Sequence, residues 1–168
     1  MNKIVLFFLL FFFSITAFAQ GEFRPAQLGA PPMKYQALRD TDVDSFAVLR
    51  EKGLKEWKLK KDTVLTKAKA LLEQKDYTGV NQLLFPYDYL EPDEPQFYEY
   101  LGKSYYYAGL FQPAHDCFQL SYERKKNVDL LFFIGHSLEK LGNEKEAKKV
   151  YKKGAKEGNA ACQEKLAE

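Results

Sequence analysis

The chain has two cysteines, two histidines and one tryptophan in 168 residues. Two cysteines cannot build the disulfide framework of a small secreted scaffold. With two histidines beside them, they also leave little for a metal cluster. Charge of one sign is missing too: 25 basic residues face 23 acidic ones. No large positive field therefore points to nucleic acid. A mean hydropathy of -0.43 excludes a chain that crosses a membrane many times. The apolar content of 46% is too high for a wholly disordered chain.

The one long apolar run lies at the start. Lys3 precedes Ile4 to Phe13, and Ala17-Phe18-Ala19 supplies small residues before Gln20. This is the pattern of a secretory signal peptide over residues 1–19. The run breaks at Ser14 and Thr16, short of the roughly 20 apolar residues a membrane span needs. Export to a periplasm or to the medium is the expectation, with no stable membrane insertion after cleavage. Residues 20–43 hold Gly21, Pro25, Gly29, Pro31 and Pro32 and read as a flexible linker.

From 44 to 60 an amphipathic helix is expected. Phe46, Leu49, Leu54 and Trp57 can share a face, although Gly53 weakens the pattern. From 61 to 168 the pattern is helical throughout, with breaks near Asp76, Pro86 to Pro95, Gly109, Lys125 to Val128, Gly142 and Gly158. Helices of about a dozen residues between such short breaks suggest stacked hairpins. The segment from Phe85 to Pro95 reads as a shortened helix followed by an extended loop, because Pro86 removes a backbone donor.

Self-comparison gives the register. Gly102, Gly109, Ala114 and Phe118 recur as Gly135, Gly142, Ala147 and Tyr151, each 33 residues later. A weaker copy, with Ala68, Tyr77, Val80 and Leu84, lies 34 residues upstream. The small residue at 68, 102 and 135 lets two helices approach closely. Gly109 and Gly142 suit left-handed helix ends. The aromatic at 118 or 151 lies one turn beyond the small residue at 114 or 147, on the same face.

This register resembles the tetratricopeptide repeat (TPR). The best copy reads Tyr98, Leu101-Gly102, Tyr105, Gly109, Phe111, Ala114 and Phe118, and the next Leu131, Ile134-Gly135, Leu138, Gly142, Ala147 and Tyr151. The first copy has Lys67-Ala68 where the family has Leu-Gly, and Ser121 and Gly154 stand where a further Ala is usual. Gly158-Asn159-Ala160 looks like the junction of Sel-like repeats, with Asn159 as a helix cap and Leu166 in the core. The fold class expected is all-α. It is a short α-solenoid of about three hairpins (61–94, 95–127 and 128–159) with a capping helix at 160–168.

The resemblance implies a protein or peptide partner held along the first helix of each hairpin. The groove positions of the family fall on Lys69, Glu99, Lys103, Tyr106, Phe132, His136 and Lys140. Tyr87, Tyr89, Tyr100, Tyr106 and Tyr107 are not all explained by a repeat core and suit contact surfaces. A self-associating envelope component, or an accessory part of an enzyme complex, are the alternative roles.

Three further places in the sequence could carry chemistry. Ser137-Leu138-Glu139-Lys140 matches Ser-x-x-Lys, but the partner motifs of penicillin-recognising enzymes are missing. His115 and Cys117 point to different sides of a helix and do not suit one ion. Cys117 and Cys162 are either two buried thiols or, after export, a disulfide. No catalytic site, metal or cofactor is expected. The lysines between 145 and 156 read as a solvated helix face.

Overall fold

A computed structural model describes residues 43–168. The leader read at 1–19 and the linker to residue 42 lie outside the described residues. Seven α-helices follow in order: α1 Val43–Glu73, α2 Tyr77–Leu84, α3 Pro95–Tyr107, α4 Phe111–Arg124, α5 Leu130–Lys140, α6 Glu144–Lys156 and α7 Ala160–Ala167. A 3-10 helix, Phe85–Leu90, joins α2 to α3. The described residues contain no strand. The protein is an all-α array of helical hairpins, a short α-solenoid.

The helix expected to stop at 60 does not stop. α1 runs unbroken for 31 residues, about 46 Å at 1.5 Å per residue. No proline interrupts it, and Glu51–Lys55 and Glu56–Lys60 pair along it at 2.9 and 2.6 Å. Gly53, which weakens the helix in isolation, lets another segment come close. A Cβ there would lie 2.6 Å from both Leu90 Cδ2 and the Tyr89 hydroxyl.

Three side chains fasten α1 to the segment between α2 and α3. Arg50 Nη2 donates to the Leu90 carbonyl at 3.0 Å and pairs with Glu91 at 3.1 Å. Trp57 Nε1 donates to Glu94 Oε2 at 2.8 Å. Lys61 Nζ reaches the other Glu94 oxygen at 2.6 Å. Burial pushes the Glu94 carboxyl up, but the bonds from Lys61 and Trp57 outweigh it and hold the group below its ordinary range. Trp57 is 2% exposed, with its ring against Tyr87 and edge-on to Phe97.

The segment after α2 also departs from expectation. Residues 85–90 form a 3-10 helix, not an extended loop, and Pro86 sits in its first turn. The first turn of a helix leaves its N–H groups unbonded anyway, so proline costs nothing there. Glu91, at a φ of 51°, then ends the helix. Leu90 and Pro92 are buried beneath it.

The two best copies superpose in chemistry as well as in spacing. Gly102 faces the Phe118 ring, where a Cβ would sit 2.9 Å from two ring carbons. Gly135 faces the Tyr151 ring, where a Cβ would sit 2.6 and 2.8 Å from two carbons. Gly109 and Gly142 close the first helices at φ values of 76° and 80°. In each turn the next residue's N–H returns to the carbonyl five before it, Leu110 to Tyr105 and Asn143 to Leu138, both at 2.9 Å. The upstream copy makes the same turn without glycine. Lys75 holds a φ of 59°, and Asp76 N–H bonds the Leu71 carbonyl at 2.9 Å. A left-handed lysine carries a steric cost of about 1 kcal/mol, which explains why this turn has no sequence signature.

The irregular small positions have separate reasons. Ser121 is buried and donates to the Pro95 carbonyl at 2.9 Å. Gly154 leaves room for Cys162, whose Sγ would lie 2.5 Å from a Cβ there. Asn159 caps α7, accepting from the Cys162 N–H at 2.8 Å and donating to the Val128 carbonyl at 3.2 Å. Leu166 is not a core residue: it is 37% exposed, and Cys162 is the side chain that α7 buries. Cys117 and Cys162 are both free, buried thiols. Burial pushes both up, away from the reactive thiolate.

Candidate functional site

The first members of the hairpins, α1, α3 and α5, pack next to one another in sequence order. The side chains between them form two adjoining groups.

The first group lines an open cleft of about 510 Å3. Its walls are Lys69, Leu72 and Glu73 of α1, Lys75 of the turn, Tyr77 of α2, Glu99, Tyr100, Lys103 and Tyr107 of α3, and Phe133 of α5. Three residues expected from the repeat register, Lys69, Glu99 and Lys103, therefore meet here. Glu99 and Lys103 are one helical turn apart and pair at 2.7 Å. Lys69 and Lys75 are exposed. Tyr77 and Tyr107 stack at 4.3 Å with their planes 17° apart, and Tyr107 keeps 50% of its surface in solvent. The cleft thus offers ammonium and carboxylate groups at its edges, Lys103 being paired with Glu99, and aromatic faces between them.

The second group is drier. Tyr106, Phe132 and His136, also expected from the register, pack on one another. The Tyr106 hydroxyl lies 2.7 Å from His136 Nδ1, and the Phe132 and His136 rings stack at 5.7 Å. Phe133 meets the Tyr106 ring edge-on and joins the two groups. Lys140, the last residue of the expected set, is exposed at the end of α5 and lines neither group.

Burial lowers the His136 pKa, Glu139 opposes this, and the charges of Lys140 and Lys165 add to it. The tautomer of the neutral imidazole sets whether Nδ1 accepts from the Tyr106 hydroxyl or donates to it. The folded chain thus takes up the imidazolium proton at lower pH than the unfolded chain, whose ordinary value is near 6.5. Stability is fully present above that value and falls as pH drops through it towards the lowered folded pKa. Urea midpoints measured at pH 7.5 and 5.5 should differ more in the natural chain than in His136→Gln. Equal differences would remove His136 from this role.

At the outer edge of the array, the Tyr151 hydroxyl donates to Glu139 Oε2 at 2.7 Å and Lys165 approaches Glu139 Oε1 at 3.3 Å. The Tyr151 bond, with Lys165 beside it, holds the Glu139 carboxyl low against its burial. Among the described residues His115 pairs with Asp116, at 3.0 Å, while Cys117 is buried against Gly102. Ser137 is buried too, inside α5 rather than in either group.

The sequence reading missed Leu72, Glu73, Lys75, Tyr77 and Phe133. Phe133 had a signal, since it stands 33 residues after Tyr100. Tyr77 had none, because its partner Tyr107 belongs to the next hairpin. Tyr87 and Tyr89 had looked free for contacts. They pack on α1 instead, against Trp57 and Phe46. Compared with protein-family models, with curated proteins and with solved structures, the chain has no significant match.

Proposed function

We propose that this chain is an exported interaction module or scaffold of the TPR type, working in a bacterial cell envelope. It holds an extended segment of a partner protein along α1, α3 and α5. The observation that carries the reading is the open cleft in which Lys69, Lys75 and Lys103 surround the stacked Tyr77 and Tyr107. Rigid, half-exposed tyrosines are effective contact residues because little rotamer entropy is lost when they are covered. Ammonium groups at the rim steer and orient the bound chain. The equivalent surroundings of Gly102 and Gly135 support the repeat reading.

Crosslinking in intact cells, followed by mass spectrometry of what co-purifies, tests this. Lys103→Glu combined with Tyr107→Ala should reduce capture of a specific partner at least about 10-fold, from one lost aromatic anchor and one inverted charge. Both side chains reach solvent, so the variant keeps its helical signal. Undiminished capture would reject the cleft as the binding site.

A further inference from the structure

A second surface, on the last hairpin, has different chemistry. Helix α6 contains six lysines: 145, 148, 149, 152, 153 and 156. At about 100° per residue, Lys145, Lys149, Lys152 and Lys156 fall within about 60° of one another. Lys148 and Lys153 flank them. The opposite face buries Ala147, Tyr151 and Gly154. From Ala147 to Lys156 the helix has no carboxylate. All six lysines are exposed, and among the described residues none of them forms an ion pair.

The patch extends onto the preceding hairpin. Lys126, just beyond α4, lies over the Tyr122 ring at 4.3 Å, and Lys153 lies over the same ring at 4.7 Å. Two ammonium groups from different hairpins thus share one aromatic ring. Glu157 acts on Lys153 from the helix end but forms no ion pair with it, and like charges left in excess attract an anion from outside.

The kind of anion follows from the residue type. Every basic group from Lys125 to the end is lysine, and the last arginine is Arg124. Lysine is a mobile, strongly hydrated point charge, whereas arginine forms the fork that reads a fixed carboxylate or phosphate. A row of lysines along a helix about 20 Å long, whose aromatic and small residues face inward, lacks the anchor that a protein partner needs. It suits a surface with diffuse negative charge.

We propose that the outer face of α6, extended by Lys125 and Lys126, docks the protein on an anionic phospholipid bilayer by charge alone. The apolar side of α6 stays in the core, so nothing inserts. The cleft between α1, α3 and α5 is built from other residues, apart from this face, so a protein held at the bilayer can still bind there.

The test is co-sedimentation of the full chain with vesicles of phosphatidylcholine alone, or with about one third phosphatidylglycerol, in about 0.1 M salt. The leader's apolar run contributes to both, so the anionic preference is the readout. With about 1 kcal/mol for each lysine at the surface, Lys148, Lys149, Lys152 and Lys156→Gln together should reduce binding to anionic vesicles by about three orders of magnitude. Lys52, Lys55, Lys58 and Lys67→Gln on α1 removes the same charge and should change it by less than about threefold. All eight side chains are exposed, and glutamine keeps the helical propensity. Equal loss in both variants, no preference for anionic vesicles, or tighter α6-dependent binding to a DNA duplex at the same salt would each overturn the proposal.

Discussion

Trp57→Ala should lower the unfolding free energy by about 3–5 kcal/mol, the range for removing a large buried aromatic. That is a large part of the 5–15 kcal/mol available to a domain of this size. The ring fills the space between Tyr87 and Phe97. Its N–H is one of the two donors that hold Glu94. Removing it leaves a half-buried carboxylate with Lys61 alone. Trp57→Phe separates the two effects, since it keeps most of the packing and loses the donor. It should cost about 1.5–3 kcal/mol, the value of a hydrogen bond to a charged group. The chain has one tryptophan among 11 tyrosines, so tryptophan emission disappears with the substitution. Urea unfolding must be followed by circular dichroism at the helical band. A cost below about 1 kcal/mol for Trp57→Ala would mean that α1 is not fastened through this residue.

The second large effect is expected at Gly135→Ala, and here two principles give opposite signs. Alanine in a helix interior is favoured over glycine by about 1 kcal/mol. Against this, the new methyl would sit 2.6 and 2.8 Å from carbons of the Tyr151 ring. The ring cannot swing aside cheaply, because its hydroxyl is held by Glu139 at 2.7 Å and its flank is buried. Overpacking should win, with a net loss of about 1–3 kcal/mol. Gly135→Ala with Tyr151→Leu should recover part of it, as contacting residues do in a double-mutant cycle. Gly102→Ala should cost less, since the Phe118 carbons are 2.9 Å away and that ring has no polar tether. Stabilisation by Gly135→Ala would reject close helix approach as the reason for this glycine.

These two sites mark what the sequence reveals and what it conceals. Gly135 and Gly102 were legible because both the glycine and its aromatic recur in step. The turn glycines and Asn159 were legible for a related reason: each solves a local backbone problem that few residues solve. The continuity of α1 was not legible. Gly53 reads as a weakness until Tyr89 and Leu90, from a distant segment, are seen against it. Pro86 likewise signals an interruption, but not that the chain continues in a tighter helix. In the candidate site, Lys69, Glu99 and Lys103 were expected from the resemblance to the TPR family, whose groove positions fall on these residues once the 33-residue register is set. The Tyr77–Tyr107 stack joins different hairpins at unrelated register positions, and no spacing rule finds such a pair.

The matched seams at Gly102–Phe118 and Gly135–Tyr151 bear on how the chain can change in length. Excising residues 103–135 would splice Gly102 to His136 within one helical phase and let Tyr151 inherit the seat of Phe118. Insertion of a like cassette would add a storey by the same rule. Growth and loss by whole hairpins therefore keep every seam, while a cut out of step with the helical period would turn the greasy side of a helix outward.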